Sequence, residues 1–486
     1  MGLWQSIIWR ARRFALYLGN LTRYHRARNT PLRQFVPSSL SSSDVFQFLN
    51  LNEQQCKATF PDLTKDLDAT IALGPFTLEQ AQGTGPLQAR VKDGQLYIIH
   101  SEDTYALSPE LLQTRQAALH QIHRAIITSP ESLPDTIFSL NVRDQPYGTA
   151  WSYSRPAYAA PASAMPPLTR AFLMPHFSFW SWPLPFIGSI SRAADAISRI
   201  EESLPFTRKD PRVVWRGSAR FNGAHNPTLR QDLLRVTAGA KWADVQALAS
   251  YERDSSRVVT ARNNRERKEI AGDGNKVGNK TGKVGEAIET RNEEEQGDAS
   301  AGGGNSTALI IEDFCRYKYV LYTDGVTYSG RLPFLQMCGS VLLTPPMAWR
   351  QLTTHLLRPV FSGDLMAANT TRITHKQKQG GKYEDMRNVW PAHRAEDANA
   401  VFVAPDWSDL EATISWLEEH PDVAEGIARR QRDLYVGKGY TSPAMETCYW
   451  RALLRGWSRV VRLGEGWEHK EGVSWDEYSI DWDATG

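Results

Sequence analysis

The sequence predicts an α/β fold, and three stretches carry the prediction. Each is an apolar, β-branched strand that ends in small or polar residues before a turn: Thr136-Ile-Phe-Ser-Leu-Asn-Val-Arg-Asp144, Val213-Val-Trp-Arg-Gly-Ser218 and Arg316-Tyr-Lys-Tyr-Val-Leu-Tyr-Thr-Asp324. The third continues through the turn residues Gly325 to Gly330, a short helix from Arg331 to Met337 and a second apolar strand, Ser340 to Thr344, before Pro345-Pro346. Strands alternating with helices imply a parallel sheet, and such sheets carry their chemistry at the carboxyl ends of the strands.

The remaining elements follow in chain order. Residues 1–43 hold seven arginines and no acid, with Leu3, Trp4, Ile7, Ile8, Ala11, Phe14, Ala15 and Leu18 on one helical face. This basic amphipathic segment, 1–45, suits peripheral contact with an anionic membrane through residues 3–18, a targeting role, or packing on the body of the protein. A hairpin is expected over Ala89 to His100, turning at Asp93-Gly94, and a helix over Leu111 to Ile127. A further helix is expected near Pro227 to Val236.

From Glu252 to Asp313 no aromatic residue occurs, and Gly, Asn, Lys and Glu dominate, so 252–308 is read as a disordered insert. A polar stretch at 361–398 is read as a smaller insert, and 462–486 as a polar tail. Two domains of ordinary size, 46–205 and 206–461, account for the rest.

Composition excludes several classes. Lys plus Arg (56) nearly balance Asp plus Glu (54), so the net charge of +2 provides no field for a nucleic acid. No run reaches the roughly 18 apolar residues of a membrane-spanning helix, because Arg10, Arg12 and Arg13 interrupt the best candidate. The four cysteines form no CxxC pair, so no zinc site is expected. Asp66-Leu-Asp68 and Asp481-Trp-Asp483 are formal DxD patterns, read as chance, so no metal and no cofactor are expected.

The strand ends supply the candidate chemistry. Ser329, Gly330 and Arg331 lie where a helix N-terminus would favour a phosphate. Arg216 offers a planar fork, Gly217 lets the backbone approach, and Ser218 adds a hydroxyl donor, so two strand ends together would clamp a diphosphate. Asp144 provides a carboxylate that accepts a proton if a cleft raises its basicity. The plainer alternatives are an arginine paired with a carboxylate and an aspartate serving as a cap or ion-pair partner.

Taken in order, LNVRDQP (140–146), FSFW (177–180), WRGS (215–218), CRYKYVLYTDGVTYSGRLPFLQMCGSVLL (315–343), the run from VFVAPDWSDL (401–410) to DVAEGIARR (422–430), and CYW (448–450) resemble glycosyltransferase family 90. That family includes Rumi-type protein O-glucosyltransferases and fungal xylosyltransferases, and the resemblance covers about residues 136–461 apart from the inserts.

The resemblance implies a GT-B-like architecture, two Rossmann-like domains facing a cleft, with 46–205 on the acceptor side and 206–461 binding the nucleotide sugar. It implies an inverting, metal-independent transfer of glucose or xylose from a UDP-sugar to a hydroxyl of a glycan or glycoprotein. Asp144 matches the catalytic aspartate; Arg216, Gly217 and Ser218, with Ser329, Gly330 and Arg331, match the elements that hold the UDP diphosphate. Asp324-Gly325 departs from the Arg-Gly of the protein glucosyltransferases. Among the aromatics Phe177, Phe179, Trp180 and Trp182, Trp180 is the candidate for stacking on a sugar.

The family pattern also implies a Cys315–Cys338 disulfide, leaving Cys56 to pair with Cys448, in an ER or Golgi lumen. This chain shows no signal peptide or spanning anchor, so a cytoplasmic or membrane-peripheral location stays open. The alternative function is a catalytically silent scaffold of the same fold that binds glycan or nucleotide.

Overall fold

Two six-stranded sheets organise the protein, and they differ in kind. In the computed structural model, which describes residues 45–81, 86–101, 107–158, 170–184, 186–248, 308–367, 387–467 and 470–480, the first sheet is mixed. Its strands run in the order Val473–Ser474, Gln95–His100, Leu87–Lys92, Thr136–Leu140, Thr149–Ser152 and Arg170–Leu173, antiparallel up to Thr136–Leu140 and parallel beyond it. The hairpin turns where expected, with positive φ at both Asp93 and Gly94, the pair a type I′ turn requires.

The strand Thr136–Leu140 is buried along its whole length, which explains its unbroken run of apolar and small residues. Phe138 stacks on Trp151 with ring centroids 4.0 Å apart, and Trp457 of helix Pro443–Val460 meets Trp151, Phe172 and Phe76 edge-on. The expected helix is present as Pro109–Ile127, capped by the Ser108 side chain.

The second sheet is parallel throughout, in the order Pro359–Phe361, Ala400–Phe402, Val341–Thr344, Tyr317–Leu321, Asp210–Gly217 and Ala243–Ala247. Chain order reverses between Asp210–Gly217 and Tyr317–Leu321: from the first, the chain moves outward to Ala243–Ala247, then crosses back to the other side. Neighbouring loops diverge at such a point and leave a crevice outside the carboxyl ends of the two strands. Trp215, Tyr319, Leu343, Val401 and Trp407 belong to the core beneath it.

The α/β expectation holds, and three local readings change. The smaller insert is narrower than 361–398: Ser362–Ala367 is a helix with Leu365 buried, and Trp390 is buried with its indole N–H on the Met347 carbonyl. The polar tail joins the fold, since Val473–Ser474 extends the first sheet while Trp467 and Trp475 are buried. A hydrophilic average hides single anchoring tryptophans. The expected break after residue 205 is crossed at the far end, where helix Pro443–Val460 packs on helix Pro109–Ile127 and is joined by Cys56–Cys448 to helix Glu53–Thr59.

The amphipathic helix at 3–18, residues 252–307 of the long insert, residues 368–386 and Asp481-Trp-Asp483 lie outside the described residues. No helix among the described residues is long and apolar enough to cross a membrane.

Candidate active site

The strand Thr136–Leu140 delivers Asp144 through a turn built by Asn141. The Asn141 side chain accepts from the Arg143 N–H at 3.1 Å and donates to the Gln145 carbonyl at 2.7 Å, so the loop doubles back on itself. The Asp144 carbonyl accepts from Thr327 Oγ1 at 3.1 Å and from Ser154 Oγ at 3.4 Å. The residue is open to solvent on one side, yet the surrounding protein desolvates its carboxyl and raises its pKa above the usual 3.8. Burial, and then the Asp144 charge, push the Tyr153 and Tyr328 phenols upward, so both stay neutral beside it.

Thr327 belongs to the loop after Tyr317–Leu321, so the carboxylate loop and the expected phosphate loop meet directly. Tyr322 is the internal post of that loop. Its hydroxyl accepts from the Ser329 N–H at 3.0 Å and from Gln351 Nε2 at 3.1 Å, and donates to Asp324 Oδ1 at 2.9 Å.

Gly330 has a steric reason for its identity. A Cβ there would lie 2.6 Å from His176 Nε2 and 2.9 Å from the Trp182 ring. Burial pushes His176 down to about 3, which keeps it neutral; the Ser178 N–H donates to Nδ1 at 3.2 Å, so the ring proton sits on Nε2, the atom facing Gly330.

The expected helix-dipole site does not form. Helix Leu332–Leu335 has four residues, too few to build a useful dipole, and the Ser329 N–H already serves Tyr322. The donors that this loop still offers are side chains.

The third strand end is arranged differently from the expectation. Arg216 lies inside the parallel ladder opposite Gln246, almost fully buried, and its guanidinium is bound to Asp244. Nη2 reaches Asp244 Oδ1 at 2.7 Å, and Nη1 reaches the Asp244 and Trp215 carbonyls at 2.6 and 2.9 Å. Desolvation would raise Asp244, but the Tyr317 hydroxyl and Arg216 outweigh it and leave the acid below its ordinary value. The side chain thus acts as a brace between strands.

Its main chain does meet the other motif: the Arg216 carbonyl accepts from Arg331 Nη1, and a Cβ on Gly217 would lie 3.0 Å from Arg331 Nη2. Ser218 uses its hydroxyl to accept from the Arg220 N–H at 3.2 Å, and its carbonyl accepts from Arg230 Nη1 at 2.8 Å.

The two motifs are therefore joined through Arg331, and Asp144 is joined to the second of them through Thr327. Two adjoining cavities open beside this contact. One of about 510 Å³ is lined by Gln145, Arg220, Asn222, His225, Val326 and Trp349 among others. The other, about 600 Å³, lies against the strand ends and includes Tyr158, Asp232, Asp324, Pro345, Pro346 and Asp406. Gly223, His225, Pro227 and Trp349 line both.

Trp180 is placed elsewhere. Its ring stacks on His120 of helix Pro109–Ile127 at 4.7 Å, with the Arg124 guanidinium 5.1 Å from its centre. The aromatic groups against Gly330 are Trp182, two residues on, and His176. Three contributors were not singled out as sites from sequence: Arg220, which lines the smaller cavity; His176; and Asp324. Arg220 follows Arg-Gly-Ser by two residues, a proximity signal; nothing local marks His176.

Asp66 of the first DxD pattern is held by the Arg155 guanidinium at 2.5 Å. Both disulfides implied by the resemblance are present, and Cys315–Cys338 brackets the phosphate loop at its two ends.

An O-glucosyltransferase rumi homolog of Aedes aegypti is 27% identical over 152 residues, 31% of this chain and 29% of that protein, so the match spans less than a third of either. The model of glycosyl transferase family 90 matches residues 51–362, well over half of the chain, from helix Glu53–Thr59 through every strand end described above except those of Ala400–Phe402 and Val473–Ser474. The protein belongs to glycosyl transferase family 90.

Proposed function

We propose that the protein is an inverting, metal-independent glycosyltransferase that moves a neutral sugar, glucose or xylose, from a UDP-sugar to a hydroxyl of a glycan or glycoprotein. The observation that carries the reading is the Thr327–Asp144 hydrogen bond, which brings a carboxylate of raised basicity to the loop that also holds Arg331. Asp144 accepts the proton of the acceptor hydroxyl as its oxygen attacks C1. The bond from C1 to the diphosphate breaks on the opposite face, and UDP leaves with the electron pair.

Arg331 and Arg220 stabilise the charge that grows on the leaving diphosphate. Arg216 braces the strand end from behind, and its carbonyl orients Arg331. The smaller cavity, with Arg220, takes the diphosphate and sugar; the larger one, walled by Pro345, Pro346 and Trp349, takes the nucleoside. A positioned general base contributes about 10² to 10⁴ in rate, and one preorganised donor about 3 to 4 kcal/mol. The two disulfides support folding in an oxidising compartment such as the secretory lumen.

A panel of UDP-glucose, UDP-xylose, UDP-galactose and GDP-mannose, read by thermal shift and then by hydrolysis, tests the reading, because a ligand that binds the native state raises its melting temperature. A uridine donor is expected to stabilise and to be turned over. No shift with any of the four overturns the proposal. Binding without turnover, whatever the acceptor, instead favours the silent scaffold.

A further inference from the structure

The carboxyl group of Asp324 is in an unusual setting for a site that takes a nucleotide, on the wall of the cavity next to the one assigned to the diphosphate. It stands just beyond the strand Tyr317–Leu321, buried, on the wall of the larger cavity. Oδ1 accepts from the Tyr322 hydroxyl at 2.9 Å, and Oδ2 from the Ala348 N–H at 2.8 Å. Through Tyr322 the acid is linked to the Ser329 amide, and its own carbonyl accepts from Arg230 Nε at 3.2 Å. Arg230 also holds the Ser218 carbonyl, so Asp324 lies where both strand-end loops are tied together.

The charged and titratable groups around it come from every neighbouring element. Tyr322 approaches from its own loop and Arg230 from helix Leu229–Val236. The Ala348 and Trp349 amides approach from the segment after Val341–Thr344. Tyr158, Asp232, His225 and Asp406 share the cavity wall. That wall holds three carboxylates and, among the described residues, neither a lysine nor an arginine.

We propose that Asp324 is a proton-coupled contact for the donor: entry of the phosphate-bearing nucleotide draws one proton onto Asp324, whose neutral carboxyl then donates a hydrogen bond to a ligand oxygen. The inference rests on the nucleotide-sugar reading above. Two effects act in the same direction. Burial pushes the acid up to about 7 in the free protein, so little work is needed to protonate it near neutrality. The diphosphate in the adjoining smaller cavity, which shares Gly223, His225, Pro227 and Trp349 with this one, raises it further by like-charge repulsion. A carboxyl group donates only while it holds its proton, so the contact exists only when the proton is bound.

The sign follows from linkage. A ligand that favours the protonated form takes up a proton on binding, so affinity weakens as the pH rises above the free-state pKa, by up to about tenfold per pH unit while the bound form still holds its proton. UDP-glucose is the suitable probe, because its diphosphate is esterified at both ends and lacks the phosphomonoester ionisation near pH 6.

The experiment is titration calorimetry of the full chain with UDP-glucose at pH 6, 7 and 8, in buffers of differing ionisation enthalpy, for wild type and Asp324→Asn. Wild type is expected to take up close to one proton at pH 8, with affinity falling from pH 7 to 8; Asp324→Asn is expected to bind with no such uptake. Binding without proton uptake in wild type, or unchanged uptake in Asp324→Asn, overturns the inference and leaves the nucleotide-sugar reading standing. No binding at any pH of UDP-glucose, nor of UDP-xylose used in its place, overturns both.

If Asp324→Asn does not fold, infrared titration of wild type against Tyr322→Phe decides the matter. The protonated-carboxyl band that titrates near neutrality must then shift on loss of the Tyr322 bond. Glu446, the other buried acid pushed up to about 7, is removed from the comparison with Glu446→Gln in both backgrounds. A band indifferent to Tyr322→Phe rejects the assignment.

Discussion

Asp144 and Arg216 both follow the apolar residues of a buried strand, and the structure treats them in opposite ways. Asp144 lies four residues beyond the last residue of Thr136–Leu140, on a turn, with its carboxyl open on one side. Arg216 lies within Asp210–Gly217, pairs across the ladder with Gln246, and closes on Asp244. Side chains in a ladder stand perpendicular to the sheet and are committed to whatever covers that face. A residue past the ladder is aimed by its loop. The comparison shows that a polar motif at a strand end reaches a cleft according to how far beyond the last paired residue it sits.

The sharpest way to break this contrast is to neutralise the exposed member. Asp144→Asn should lower turnover by about 10² to 10⁴ while leaving donor affinity within error, read by steady-state kinetics and calorimetry. Because the Asp144 pKa is raised, transfer in wild type should fall as the pH drops through a value above 3.8, where the base becomes protonated. Full turnover by Asp144→Asn would remove it from the chemistry.

Arg331→Ala should come next, costing about 3 kcal/mol in transition-state stabilisation with weaker donor binding as well, since its guanidinium is tied to the Arg216 carbonyl at the cleft. Arg216→Ala should act on stability. Leaving the half-buried Asp244 without Arg216, though still bonded to Tyr317 and Gln246, costs about 1 to 3 kcal/mol in chemical denaturation, and the paired change Arg216→Met with Asp244→Leu should recover most of it. If Arg216→Ala instead keeps its stability and loses donor affinity alone, the brace is misassigned.

The smallest effects separate the two tryptophans. Gly330→Ala, crowded by His176 and Trp182, should destabilise by about 1 to 3 kcal/mol. Trp182→Ala in the wild-type background should change the donor KM, while Trp180→Ala, stacked on His120 away from the phosphate loop, should leave it unchanged. Equal KM effects of the two would erase the distinction.

Strand positions were legible because buried strands read as runs of apolar and small residues, as at Ile137 to Leu140 and Val213 to Trp215. The hairpin was legible from Asp93-Gly94, since few residue pairs accept positive φ twice. The buried tryptophans at 390, 467 and 475 were not, because each sits in a hydrophilic stretch and owes its burial to a surface formed by distant segments.

By itself, the amino-acid order determined the family motifs, the strand ends and the residue types gathered at them, because hydrophobic periodicity and turn preference act over a few neighbours. The folded molecule alone decided which groups became available. Asp244, 28 residues from Arg216, captured that guanidinium; Thr327, 183 residues from Asp144, brought the carboxylate loop to the phosphate loop; and Trp182 rather than Trp180 came to face Gly330. Partners so far apart along the chain leave no local trace, since what joins them is strand pairing in the case of Asp244 and the meeting of two loops in the case of Thr327.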